Sequence, residues 1–181
     1  MKRRLFIAIN LPEGDKNRIN KLIAKWQDLP VVWSRTDNFH LTLLFLGYVD
    51  DENLLDLCEK IKNVTGHFQS LDVEFNQVGF GPDDDDPKMI WLKGEANENL
   101  QRLQESLEKE LGFYSHSRRE YRPHITLGRI RRGRWSKLSE QPQINQKFML
   151  SFPASSLDLM ESTFEDGRLV YTLLESNELN S

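Results

Sequence analysis

The chain has 181 residues, of which 38% are hydrophobic and 29% charged, with 24 Lys plus Arg against 28 Asp plus Glu. That suits one large domain or two joined small lobes with a real core, and it excludes a disordered, collagenous or coiled-coil chain. The longest apolar run, Leu5 to Ile9, is far too short to cross a membrane, and a single cysteine, Cys58, excludes a disulfide framework or a cysteine-based zinc site.

The basic start Lys2-Arg3-Arg4 is followed by too short an apolar stretch, and no small-residue cleavage site follows before Pro12 and Glu13. A soluble, cytoplasmic protein without membrane contact is therefore expected. Leu5 to Ile9 reads as a strand that ends at the turn Pro12-Glu13-Gly14. Ile19, Leu22, Ile23 and Trp26 then follow the spacing of one buried helix face, stopped by Pro30. Val31 to Trp33 is extended. His40 to Leu46 is apolar or β-branched at nearly every position and ends at Gly47, the pattern of a strand covered on both faces. Asp50-Asp51 fits the cap of a second helix running to about Ile61.

Leu71 to Phe80 alternates in part, and Met89 to Leu92 reads as its neighbouring strand. The four aspartates Asp83 to Asp86 between them lack the glycine and distal glutamate of a calcium loop and read as a solvated hairpin tip. Glu95 to Leu111 is the clearest helix, with Leu100, Leu103, Leu107 and Leu111 on one stripe and Gly112 as its stop. Three strands follow, Ile125 to Ile130, Leu157 to Met160 and Leu169 to Leu174, the last two joined by an Asp166-Gly167 turn. Interspersed helices and hairpins without a divisive linker predict an α+β fold formed by residues 1–181 as one unit.

The net charge is −4, yet Phe113 to Leu138 holds eight bases and one acid, Glu120, leaving −11 for the rest of the chain. A concentrated arginine stretch in an acidic protein suits a grip on a few phosphates better than the wrapping of long duplex DNA. A solvated basic loop is the bland alternative.

Two of the four histidines carry threonine at the second position after them inside a predicted strand: Phe39-His40-Leu41-Thr42-Leu43 and Pro123-His124-Ile125-Thr126-Leu127. Side chains two apart along a strand share a face, so each strand presents one proton carrier and one hydroxyl. Two such strands facing one another supply what metal-independent phosphodiester cleavage requires: a base, an acid and donors for the phosphate oxygens. One strand histidine followed by threonine is ordinarily structural, but a matched pair points to a site. No zinc-ligand spacing, Gly-x-Ser-x-Gly elbow or nucleotide-binding Gly-rich loop competes with it. His67 and His116 lie in polar surroundings and read as surface residues.

His40-Leu41-Thr42-Leu43-Leu44-Phe45-Leu46-Gly47 and Arg122-Pro123-His124-Ile125-Thr126-Leu127-Gly128-Arg129 resemble the paired signatures of the two-histidine phosphoesterases, within them the bacterial RNA 2′,3′-cyclic phosphodiesterases, also called 2′–5′ RNA ligases. Arg4 to Ile9, and Leu159 to Ser162 with Gly167 and Tyr171, resemble that family's first strand and last hairpin. The resemblance implies a bilobal fold of two pseudo-twofold lobes, mainly antiparallel, with outer helices and a central cleft. It implies His40 as proton donor, His124 as proton acceptor, and Thr42 and Thr126 on the phosphate, with no cofactor and no metal. The implied partner is RNA with a 2′,3′-cyclic phosphate end, opened to a 2′-phosphate by a monomer, with reverse 2′–5′ ligation. Small cyclic nucleotides or 2′–5′ oligonucleotides are the alternative substrates, and a non-catalytic RNA-binding module is the rival class.

Arg129 matches the family's arginine after the second motif, and a guanidinium suits phosphate. Strict alternation, however, places Arg129 on the face opposite His124, unless Gly128 marks a bulge that re-aims it. Trp33, Phe39, Tyr121 and Trp135 lie near the motifs and are candidates for stacking on a base.

Overall fold

Alternating strand sequences and three amphipathic helices assemble around one sheet in the computed structural model, which describes residues 1–95, 97–112, 114 and 121–181. In chain order the elements are β1 (Lys2–Asn10), α1 (Glu13–Ile23), β2 (Val31–Trp33), β3 (His40–Asp50), α2 (Leu54–Thr65), β4 (Leu71–Gly81), β5 (Met89–Gly94), α3 (Glu98–Leu111), β6 (His124–Ile130), the short α4 (Arg132–Trp135), β7 (Gln146–Ala154), β8 (Ser156–Glu165) and β9 (Arg168–Glu178). The strand order is β7-β4-β5-β6-β3-β1-β8-β9, with β2 paired to β6. Every strand pair is antiparallel.

The order is palindromic about the β3–β6 seam. On each side an inner strand pairs with the strand that precedes it through a helix, β1 with β3 across α1 and β5 with β6 across α3. Each inner pair is then flanked by two outer strands. This is the expected two-lobed α+β arrangement. The two halves meet in register at one residue pair, Leu41 with Ile125.

Helices cover one face of the sheet. Ile19, Leu22 and Ile23 of α1, Leu57, Ile61 and Val64 of α2, and Leu100, Leu103, Leu107 and Leu111 of α3 join one core with Ile7, Leu41, Val73, Leu92 and Ile125 of the strands. Each such side chain contributes about 1.5–3 kcal/mol when fully buried. Asn97 caps α3 by accepting a 2.9 Å bond from the Leu100 amide, so the helix starts at Glu98 rather than Glu95. No helix among the described residues is long and apolar enough to cross a membrane.

Four expectations change. β3 is buried on its core face only, because Phe45 is 56% exposed on the other. Asp51 does not cap α2, since its carboxylate accepts from Arg3 Nε at 2.8 Å and α2 starts at Leu54. β7 is a strand beyond those expected, and its inward residues Leu150, Phe152 and Ala154 alternate along it. The last two strands are longer than the apolar cores that announced them. The Asp166-Gly167 turn is as expected, with φ of 50° and 74°, the left-handed values that a two-residue hairpin loop requires.

Candidate active site

Leu41 and Ile125 are both fully buried in the core, which turns their neighbours onto the opposite face. The antiparallel register around that pair sets His40 against Thr126 and Thr42 against His124. Both His-x-Thr units therefore occupy one face at the centre of the sheet, as their spacing predicts.

Each imidazole is oriented in the same way. His40 Nδ1–H donates to the Asn38 carbonyl at 2.8 Å, and His124 Nδ1–H donates to the Arg122 carbonyl at 2.7 Å. A carbonyl only accepts, so in each neutral ring the proton sits on Nδ1 and Nε2 carries the lone pair. The Thr42 hydroxyl donates to His40 Nε2 at 2.9 Å. Burial is the main cause that holds His40 down to about 4, with the His124 charge adding to it and the Asn38 carbonyl opposing. Burial also lowers His124, aided by the Arg122 charge and opposed by the Arg122 carbonyl. Both rings rest neutral at pH 7.

Different groups surround the two rings. Phe6 (4.9 Å between centroids) and the edge of Tyr171 (5.0 Å) flank His40. Tyr171 lies on β9, two strands beyond β3's neighbour β1, so the contact records how far the sheet curls. Trp91 lies face-on to His124, at 3.7 Å and 20°. Asn10, opposite His40 in register, donates to the buried Asp158 at 2.7 Å, whereas Lys93, opposite His124, pairs with Asp84 at 3.2 Å.

The position of Arg129 is settled by a bulge. Between β5 and β6 the register runs from Trp91–Thr126 to Ile90–Gly128, leaving Leu127 as an extra residue. Arg129 then opposes Met89, which shares the face of Trp91, and so returns to the face of His124 and Thr126. The extra residue is Leu127, one before the glycine to which the sequence pointed. Gly128 lies where a Cβ would come within 2.5 Å of Val31, so β2 packs directly across it. Burial raises the Tyr171 phenol, and the Arg129 and Arg4 charges oppose that rise.

The four aromatics named from the sequence belong mainly to the core. Phe39 is fully buried and Trp135 is 7% exposed, while Trp33 and Tyr121 pack partly buried against the core. Tyr121 reaches back to the Thr42 carbonyl at 3.4 Å. The rings at the site are instead Phe6, Trp91 and Tyr171, whose distance in sequence from the motifs hid them. His67 is exposed, and Asp83 to Asp86 form an exposed tip tied by Asp86 to Arg132 and Lys88. His116, Arg118 and Arg119 lie outside the described residues. Among the described residues no cluster of three His, Cys, Asp or Glu is spaced to hold a metal ion. A cavity of about 800 Å³ lies over β4 and the aspartate tip and touches neither motif.

An α+β sheet with one His-x-Thr strand from each half at its centre defines the two-histidine class of fold. The sequence profile of the 2′-5′ RNA ligase superfamily matches residues 16–163. The RNA 2′,3′-cyclic phosphodiesterase of Thermotoga maritima is 32% identical over 142 residues, 76% of each chain. That of Archaeoglobus fulgidus is 29% identical over 175 residues, 94% of this chain and 92% of the relative. The crystal structure of E. coli LigT complexed with 3′-AMP superposes with a TM-score of 0.83 at 27% identity, covering 100% of both chains. The chain belongs to the 2′-5′ RNA ligase superfamily and, within it, to the RNA 2′,3′-cyclic phosphodiesterase family.

Proposed function

We propose that this protein hydrolyses 2′,3′-cyclic phosphate ends of RNA to 2′-phosphates without a metal, residues 1–181 acting as one two-lobed unit. The observation that carries the reading is the Leu41–Ile125 register, which gives the cleft two imidazoles and two hydroxyls at one place. Both halves come from one chain, so a monomer suffices. The relatives' names supply the substrate class.

In the reaction, His124 Nε2 takes a proton from water as the water oxygen bonds to phosphorus. The P–O3′ bond breaks, and His40 Nε2–H gives its proton to O3′, leaving a 2′-phosphate and a 3′-hydroxyl. Exchange with solvent restores both rings. Thr42, Thr126 and Arg129 hold the equatorial oxygens, whose charge grows in the transition state. With a 5′-hydroxyl in place of water the same steps form a 2′–5′ linkage. His40 rests neutral in the free protein, and the phosphate charge raises its pKa on binding, which arms the donor only when substrate is present.

A short synthetic RNA with a 2′,3′-cyclic phosphate end tests this. Turnover to the 2′-phosphate is expected, with His40→Ala and His124→Ala each slower by about 10²–10⁴. RNA binding by wild type with no turnover of any cyclic end would leave the binding-module reading in its place.

A further inference from the structure

The two histidines are oriented alike but anchored differently. In each half the residue two before the histidine turns its carbonyl to the ring Nδ1, Asn38 to His40 at 2.8 Å and Arg122 to His124 at 2.7 Å. What differs is where the side chain of that residue goes. The Arg122 guanidinium lies 5.5 Å from the Trp91 ring of β5, the strand next to β6. The Asn38 amide instead donates to the Leu169 carbonyl of β9 at 3.0 Å. A carbonyl can only accept, so Nδ2 is the atom that faces it.

That bond spans one whole half of the sheet. In the strand order β1 and β8 stand between β3 and β9. For Asn38 to reach Leu169, the sheet must curl until its edge strand comes back over the residues that precede β3. The Asn38–Leu169 bond closes this curl around His40. Within it, Phe6 of β1 lies tilted to the imidazole at 4.9 Å, and Tyr171 sets its edge against the ring at 5.0 Å. Tyr171 is two residues along β9 from Leu169 and shares its face.

Asn38 itself ends a single 3-10 turn, Thr36–Asn38. The turn is closed by the Asn38 amide on the Arg35 carbonyl at 2.9 Å and the Phe39 amide on the Thr36 carbonyl at 3.2 Å. Hydrogen-bond geometry in such turns is poor, so anchors from outside matter. Asn20 of α1 donates to the Thr36 hydroxyl at 2.5 Å, and Asn38 holds β9. The residue that orients the imidazole is therefore also the one that fastens the wall beside it.

We propose that Asn38 is the positioning residue of the proton donor: its carbonyl keeps the proton of the neutral His40 ring on Nδ1, and its side chain, through β9, keeps that carbonyl and Tyr171 in place. The assignment rests on the cyclic phosphodiesterase reading above for what His40 does. As donor, the imidazolium must give up the proton on Nε2 to the leaving oxygen and keep the one on Nδ1. A loosened carbonyl would let the ring turn, or let it lose the wrong proton. Asn38 touches no reacting atom, so it serves the chemical step and not the binding of substrate.

Nitrogen NMR of histidine-labelled protein at pH 7 reads the tautomer directly. Wild type should show His40 and His124 each protonated on Nδ1 alone. Asn38→Ala and Asn38→Leu, the second keeping the bulk without the donor, should give His40 a mixture of tautomers and leave His124 unchanged. Because Asn38 is only half-buried, both variants keep the fold, and the unchanged His124 signal verifies it. With a cyclic phosphate end, both should lower kcat about two- to tenfold, the worth of one hydrogen bond, with KM changed less than about twofold. An aryl phosphodiester, whose leaving oxygen needs little protonation, should lose less than about twofold in kcat. A single Nδ1–H tautomer of His40 in both variants, a wild-type His40 protonated on Nε2, or equal losses with the two substrates would overturn the positioning role. If wild type opens no cyclic end the phosphodiesterase reading fails, and the tautomer comparison still decides whether Asn38 positions His40.

Discussion

The Trp91 indole lies parallel to the His124 imidazole within 20°, their centroids 3.7 Å apart, and it is held there by a glycine. A Cβ on Gly81 would stand 2.2 Å from the Trp91 ring, so only glycine admits the indole in this position. The stacked ring excludes water from the neutral imidazole, and its π-face would favour the imidazolium formed if His124 takes a proton as the proposed base. Among the described residues His40 has only a tilted partner, Phe6, and an edge-on one, Tyr171.

Gly81→Ala should displace Trp91 without touching His124 directly. Aromatic pairs contribute about 0.5–1.5 kcal/mol beyond burial, so kcat should fall about two- to tenfold with KM nearly unchanged. Trp91→Leu should do the same and move the acid limb of the pH–rate profile, while Trp91→Phe should retain most of the rate. The Arg122 charge also acts on His124 and lies over Trp91 at 5.5 Å, and His40 and His124 act on one another, so the limb is compared in variants that leave both groups in place. An unmoved limb in Trp91→Leu would reduce Trp91 to packing.

Acid should destabilise the protein through His40. Its pKa is near 6.5 when unfolded and about 4 in the fold. Between those values the unfolded chain binds the extra proton, so stability falls as pH drops from about 6.5 to about 4, by roughly 3 kcal/mol from this group. Denaturant titrations across that window should show a smaller fall for His40→Gln than for wild type. Equal falls would show that His40 is not buried neutral in solution.

The two histidines should separate by leaving group. An aryl phosphodiester needs little protonation of its leaving oxygen, so it should restore His40→Ala toward wild type, recovering much of the roughly 10²–10⁴ that a general acid supplies. It should not restore His124→Ala, whose attacking water still lacks a base. Rescue of His124→Ala instead would invert the two roles.

Salt dependence should identify the arginines that meet RNA. Arg132 is already paired with Asp86, whereas Arg131 and Arg134 stand exposed beside it. Replacing Arg131 and Arg134 by Ala should lower the slope of log K against log salt by about 1.4 for single-stranded RNA, at 0.7 per contact. Replacing Arg132 should change it less. A slope indifferent to all three would return this stretch to a solvated loop.

Much of the site was legible because its signals are local. His40 and Thr42 share a face, as do His124 and Thr126, through the two-residue period of any strand. Asp166-Gly167 announced its turn through left-handed backbone preference, and the α3 leucines announced a buried stripe. The sequence alone thus determined which strands carry the His-x-Thr pairs, the α+β class and the likeness between the halves. Arg129 was not legible in the same way, because a bulge is decided by which partner residues the ladder pairs and leaves no mark in the strand's own alternation. Trp91, Phe6 and Tyr171 reach the histidines from β5, β1 and β9, and the curl and twist of the whole sheet, summed over several strands, set those contacts. The register Leu41–Ile125 belongs to the tertiary structure as well: two strands 84 positions apart in sequence meet in one alignment because both residues must enter the same core, and a slip of one would carry every histidine and threonine of the pair into it.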